Sequence, residues 1–185
     1  MGHIASPPPA LLLLAAFSRY DAALDWARER SLGAWGPLAR ESPRFEFRET
    51  PYYEPAMGAD LRKTFWLFQR PFDPAELAEI KLQSNRWEEE YAAAAGCAEP
   101  RPLNLDPGYL SLAKLVLAST KNHAHRIYLR QGIYAEITLH YSQGRWQPGP
   151  WTFADYRRDD YQQFFLACRD YLHHRIREEP HAWPG

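Results

Sequence analysis

An α+β domain built on a ferredoxin-like βαββαβ core is the fold that this sequence predicts. Three observations predict it. The chain has 185 residues, 45% hydrophobic and 24% charged, the size and balance of one globular domain with a real core. Up to Leu105, apolar runs of strand length and amphipathic stretches of helix length follow in the order strand, helix, strand, strand, helix, strand. Beyond His125 the apolar period becomes two, which predicts paired strands. The core is therefore expected to be extended by a helix, a β-meander and a C-terminal helix.

Leu11 to Phe17 is continuously apolar and suits a strand buried on both faces. Ser18 and Asp21 are candidate caps for a helix over Tyr20 to Leu32, with Ala23, Leu24 and Ala27 inward and Gly33 and Gly36-Pro37 ending it. Phe45 to Thr50 alternates as a second strand, and Thr50 to Pro55 is a proline-bracketed loop carrying Tyr52 and Tyr53. Lys63 to Gln69, KTFWLFQ, is an apolar aromatic strand. Asp73 caps, and Pro74 opens, a helix reaching Ala95, whose Glu88-Glu89-Glu90 run is expected to be solvated. Arg101 to Leu105 is a fourth strand. Asp106-Pro107 then reads as a new helix start, with Asp106 as its cap and Tyr109, Leu112, Ala113, Val116 and Leu117 facing the sheet. The meander comprises Arg126 to Leu129, Ile133 to Tyr141 and Arg145 to Gln147, ended by Pro148-Gly149-Pro150. A last helix covers Asp155 to Arg177, with Tyr161, Phe164, Phe165, Cys168 and Leu172 inward. Residues 1–9 read as a flexible proline-rich start, 10–177 as a single domain and 178–185 as a flexible tail.

A net charge of −1 removes the electrostatic argument for strong non-specific nucleic-acid binding, while a local basic patch remains open. Cys97 and Cys168 stand alone, without a CxxC, so neither a disulfide framework nor a zinc motif is predicted and a reducing cytosol is the expected compartment. Leu11 to Ala16 is too short to span a bilayer and has no basic residue before Arg19, so neither a membrane segment nor a signal peptide is expected. Seven Trp and eleven Tyr are more amphipathic rings than one small core accepts, so some are expected to line a groove or an interface. Nucleotide-loop, nucleophile-elbow and HExxH motifs are missing. Gly58 to Thr64, GADLRKT, lacks the glycine that a phosphate loop places before its lysine.

Chemistry concentrates around the meander. A three-residue turn at Arg130-Gln131-Gly132 sets Leu129 opposite Ile133, Tyr128 opposite Tyr134 and Arg126 opposite Glu136. Ile127, Leu129, Ile133 and Ala135 then form the core face, and Arg126, Tyr128, Tyr134, Glu136 and Thr138 a polar, aromatic face. Its bland reading is a cross-strand ion pair on a half-exposed sheet. Its functional reading is an arginine held by Glu136 to grip a carboxylate or phosphate. Lys121, His123, His125 and Arg126 lie within six residues and suit an anion site or a proton-transfer site. Asn104 and Asp106 flank Leu105 and point to one side. Asp106 free of capping would make an acid/base or metal site with Asn104, His125 and Glu136, although no spacing demands one and no metal ligand set is predicted.

The segments NLDPGYL, KLVLAS, HRIYL and GIYAEITL resemble a bacterial family known only as domain of unknown function 4416. Tyr52-Tyr53-Glu54 with Met57-Gly58, Ile80-Lys81-Leu82 with Asn85, and Trp151-Thr152 with Asp155-Tyr156 extend the resemblance over most of the chain from Leu11 to Leu172. It implies a small single-domain bacterial protein and carries no activity with it.

Binding of an anionic small molecule, a nucleotide or a short RNA element is the leading functional expectation. Arg126, His125 and Lys121 would contact the anion, Glu136 would orient Arg126, Tyr53 and Tyr134 would stack on a planar group, and Asn104 would assist. One alternative is a hydrolase or phosphoester-handling enzyme using His125 with Asp106 or Glu136. Another is a non-catalytic protein-interaction module. Neither a cofactor nor an oligomeric state follows from the sequence.

Overall fold

The computed structural model describes residues 3–183; Met1, Gly2, Pro184 and Gly185, parts of the expected flexible ends, lie outside the described residues. Among the described residues the chain is α+β, with four helices and one antiparallel sheet of nine strands. In chain order the strands are β1 (Ala10–Ser18), β2 (Leu38–Glu41), β3 (Phe45–Glu46), β4 (Arg62–Pro71), β5 (Asn104–Ser111), β6 (Lys114–Ser119), β7 (Ile127–Arg130), β8 (Ile133–Ser142) and β9 (Arg145–Pro148). The helices are α1 (Asp21–Trp35), the short α2 (Glu54–Met57), α3 (Leu77–Ala94) and α4 (Asp159–Glu178). Strand order is β2-β4-β1-β5-β6-β8-β7, with β3 on β4 and β9 on β8. Among the described residues no helix is long and apolar enough to cross a membrane.

β1 lies inside the sheet, paired to β4 on one side and β5 on the other. Its unbroken apolar run serves two layers. Leu12, Leu14 and Ala16 meet Leu24 and Ala27 of α1 and Leu77 and Ala78 of α3. Leu11, Leu13 and Ala15 meet Phe165, Cys168 and Leu172 of α4. The sheet is thus covered by α1 and α3 on one face and by α4 on the other, which is why so many of its side chains are apolar on both faces.

The structure corrects several local expectations. Asn104 to Ser119 is not a strand leading into a helix but the hairpin of β5 and β6. β5 is buried on both faces, so its apolar residues do not alternate and mimic a helical stripe. Gly108 belongs to the hairpin: a Cβ there would lie 2.1 Å from the Val116 carbonyl oxygen of β6. Asp106 is consequently a strand residue and caps nothing. Nor does Ser18 or Asp21 cap α1, whose flanking Tyr20 offers no side-chain bond. Asp73 does cap its helix, accepting from the Ala75 amide at 2.9 Å.

In the second hairpin Tyr128 faces Tyr134 as expected, but a bulge brings Arg130, not Leu129, opposite Ile133. The expected core face is only half realised. Ile133 is buried, whereas Ile127 is 72% and Leu129 39% exposed, because β7 is the last strand of the sheet. Within the expected tail, Trp183 is buried in the layer under α4.

Candidate functional site

β5 and β6 pair only from Gly108 to Leu110 with Leu115 to Leu117. Beyond that point Asn104 to Pro107 and Ala118 to Ser119 carry no ladder contact with each other, and Pro107 brings no N–H. A cavity of about 470 Å³ opens there. The loop from Phe47 to Tyr53 and the turn from Phe153 to Tyr156 complete its walls.

Three ion pairs line it, each with a buried cation. On β4, the Lys63 ammonium donates to Asp155 Oδ2 at 2.6 Å and lies 4.4 Å from the centre of the Tyr156 ring, with Phe17, Phe47 and Phe65 also around it. On α3, the Lys81 ammonium donates to the Leu105 carbonyl at 2.7 Å and to Asp106 Oδ1 at 3.0 Å. Arg126 Nε donates to Glu136 Oε2 at 2.7 Å, with both side chains 4% exposed. Buried cations of this kind persist only when paired and hydrogen-bonded.

Arg126 is the most constrained of these groups. Besides Glu136, its Nη1 donates to Ser119 Oγ at 2.7 Å and to the Lys121 carbonyl at 3.1 Å. Its Nη2 has no partner among the described residues and is not sealed off, in a side chain that lines the cavity. Lys121 forms no ion pair among the described residues; its ammonium donates to the Tyr52 hydroxyl at 2.9 Å. That bond and the adjacent positive charge hold the Tyr52 phenol below its usual pKa.

The opposite side of the hairpin gap is a saturated network. Arg101 donates to Glu88 Oε2 at 2.9 Å and to Asn104 Oδ1, and Asn104 Nδ2 donates to Asp106 Oδ2 at 2.7 Å. Glu88 Oε1 accepts from the Leu105 amide at 2.7 Å, so this acid is spent inside the protein and not solvated as the acidic run implies. Burial raises the Glu88 pKa, against the pull of Lys81 and Arg101. Burial also acts to raise that of Asp106, but Lys81, Lys63 and Arg101 outweigh it and hold the carboxyl below its usual value. Tyr53 and Tyr156 are pushed up, first by burial.

Of the residues singled out in the sequence, Tyr53, Asn104, Asp106, Lys121, His123, Arg126 and Glu136 all line this one cavity. His125 and Tyr134 do not. His125 Nε2 sits 2.9 Å from the same Glu136 oxygen that Arg126 uses, and its ring stacks on Trp151 at 5.3 Å. Tyr134 packs edge-on against Tyr128. The Arg126–Glu136 pair is buried, not half exposed. Lys63, Lys81, Asn85, Arg101 and Asp155 line the cavity without having been singled out for chemistry in the sequence, although Lys81, Asn85 and Asp155 fall in the family resemblance. A signal existed for one of them: Lys81 shares the inward stripe of α3 with Leu77, Ala78 and Ser84. Among the described residues no three His, Cys, Asp or Glu side chains are grouped to hold a metal ion.

The model of the family described as domain of unknown function (DUF4416) matches residues 8–171. No curated protein and no solved structure matches the chain.

Proposed function

This chain belongs to the DUF4416 family, and we propose that it binds a small anionic molecule in the cavity between β5 and β6. The observation that carries this reading is Arg126. Its guanidinium is buried, two of its nitrogens are fixed by Glu136, Ser119 and the Lys121 carbonyl, and the third is left for a ligand that reaches the cavity. A guanidinium held in this way gives a carboxylate or phosphate oxygen a preorganised charged donor. Lys121 adds a second positive charge at the rim, and Tyr52, Tyr53 and Phe153 supply flat apolar walls. A volume of about 470 Å³ falls in the range of small-molecule sites, roughly 300–1,000 Å³. It favours a small ligand over a long RNA, as does the net charge of −1.

The test is a thermal-shift screen of the purified protein against phosphorylated metabolites, nucleotides, carboxylates and short RNAs, repeated with Lys121→Ala and Arg126→Lys. A ligand of the folded state raises the melting temperature by mass action. The reading expects a small anion to do so in the wild type and to do so weakly or not at all in both variants. A panel with no hit, or a hit indifferent to both substitutions, overturns it.

A second reading, a protein-interaction module, draws on the outer edge of the sheet, where Ile127, Tyr128, Leu129 and Ile137 are all exposed. A monomer in sedimentation that stays a monomer, with no gain in solubility from Ile127→Glu, counts against it. In the leading reading the β5-β1-β4-β2 part of the sheet, with α1 and α3, is a ferredoxin-like core, and the protein works in a bacterial cytosol.

A further inference from the structure

The α3 wall of the cavity holds an amide that the protein itself does not use. Asn85 lies one turn beyond Lys81 on α3, so both side chains leave the same face of the helix toward the cavity. Its neighbours on that wall are spent. Both oxygens of Asp106 are taken by Lys81 and Asn104, both ends of the Asn104 amide by Arg101 and Asp106, and both oxygens of Glu88 by Arg101 and the Leu105 amide. Asn85 alone among these has no hydrogen-bond partner within the described residues, is only partly buried and lines the cavity.

A free carboxamide presents a donor and an acceptor side by side. It matches a planar edge that presents the complementary pair, as nucleobases do, and an asparagine grips such an edge with two parallel bonds. Tyr52, Tyr53 and Phe153 give such a ring flat surfaces to lie against, while Arg126 and Lys121 on the β6–β8 side meet the charge. We infer that the anion bound in the cavity is a mononucleotide, with its phosphate toward Arg126 and Lys121 and its base edge read by Asn85. This inference rests on the anion-binding reading given under Proposed function and adds the identity of the uncharged half of the ligand.

Isothermal titration with the four common 5′-ribonucleoside monophosphates and with ribose 5-phosphate separates the two statements. The expected result is that at least one nucleotide binds the wild type about tenfold or more tightly than ribose 5-phosphate, the weight of one bidentate base contact. Asn85→Ala should erase that advantage and leave ribose 5-phosphate binding unchanged. Asn85→Leu, which is close to the side chain in size but loses both its donor and its acceptor, should do the same. Lys121→Ala should weaken both ligands together. Equal binding of nucleotides and ribose 5-phosphate, or a nucleotide preference that survives in both Asn85 variants, overturns the assignment of Asn85 while leaving the anion site standing. Binding of neither ligand class overturns both.

Discussion

Arg126 and His125, adjacent in sequence, converge on a single oxygen of Glu136, at 2.7 Å from Nε and 2.9 Å from Nε2. Glu136 stands on β8, and the loop that carries its two partners is tied down by this one carboxylate. Removing a buried charge from such a pair leaves the other uncompensated, which costs about 3–5 kcal/mol. Glu136→Ala is therefore expected to lose stability of that order in urea denaturation. Glu136→Gln, which still offers an acceptor, should lose less. A loss under about 1 kcal/mol for the alanine variant would mean that the pair behaves like one in open solvent.

Lys63 and Asp155 join β4 to the turn before α4 through 2.6 Å, inside a ring of aromatic faces. Asp155→Leu strands the ammonium among those rings, and Lys63→Met strands the carboxylate. Each single variant should be destabilised by about 3–5 kcal/mol, and the double variant by less than either, since an apolar pair of similar volume leaves no buried charge. A double-mutant cycle that is simply additive would contradict a direct pair.

Asp106 titrates below its ordinary value of 3.8 because Lys81, Lys63 and Arg101 outweigh the effect of burial. A carboxyl lowered in the folded state binds fewer protons there than in the unfolded chain. It therefore contributes stability that is complete above pH 3.8 and is lost as the pH falls through the lowered folded-state value. The stability gap between wild type and Asp106→Asn should be widest above that pH and narrow below it. Glu88, raised by burial, acts with the opposite sign and penalises the fold as the pH rises past 4.5, so Glu88→Gln should flatten that part of the profile.

Gly108 and Gly33 make a matched pair of alanine substitutions. At Gly108 the added methyl meets the Val116 carbonyl oxygen at 2.1 Å, and two backbones of one hairpin must part. Overpacking of this kind costs about 1–3 kcal/mol and more where the neighbour is backbone. Gly33 sits within α1 with nothing within 4 Å of the new atom. Alanine there should add about 0.5–1 kcal/mol through helix propensity. Melting temperatures moving in opposite directions are the expected outcome; a neutral Gly108→Ala would remove the close approach from the account of the hairpin.

Much of the architecture was legible because local rules governed it. The apolar run of β1, the aromatic run of β4, the cap at Asp73 and the stripe of Tyr161, Phe165, Cys168 and Leu172 on α4 each follow from spacing or from one side chain. The same rules failed on β5. A strand buried on both faces loses its alternation, and Asp106-Pro107 carries a helix-start signal that pairing on both sides overrides. The exposure of Ile127 and Leu129 was equally hidden, because the hairpin register says which residues share a face but not how far that face is covered.

The candidate site divides in the same way. By itself the sequence nominated Tyr53, Asn104, Asp106, Lys121, Arg126 and Glu136, together with His125 and Tyr134, as candidates, since residue type and short spacing suffice for that. Only the tertiary structure decided that the first six surround one cavity, that His125 stands outside it, and that Lys63, Lys81, Arg101 and Asp155 belong to it. The reason is physical. Lys63 meets Asp155 from 92 residues away, and Lys81 meets Asp106 from 25. Such pairings are set by which strands lie side by side and where two of them part, a property of the folded sheet that no local spacing contains.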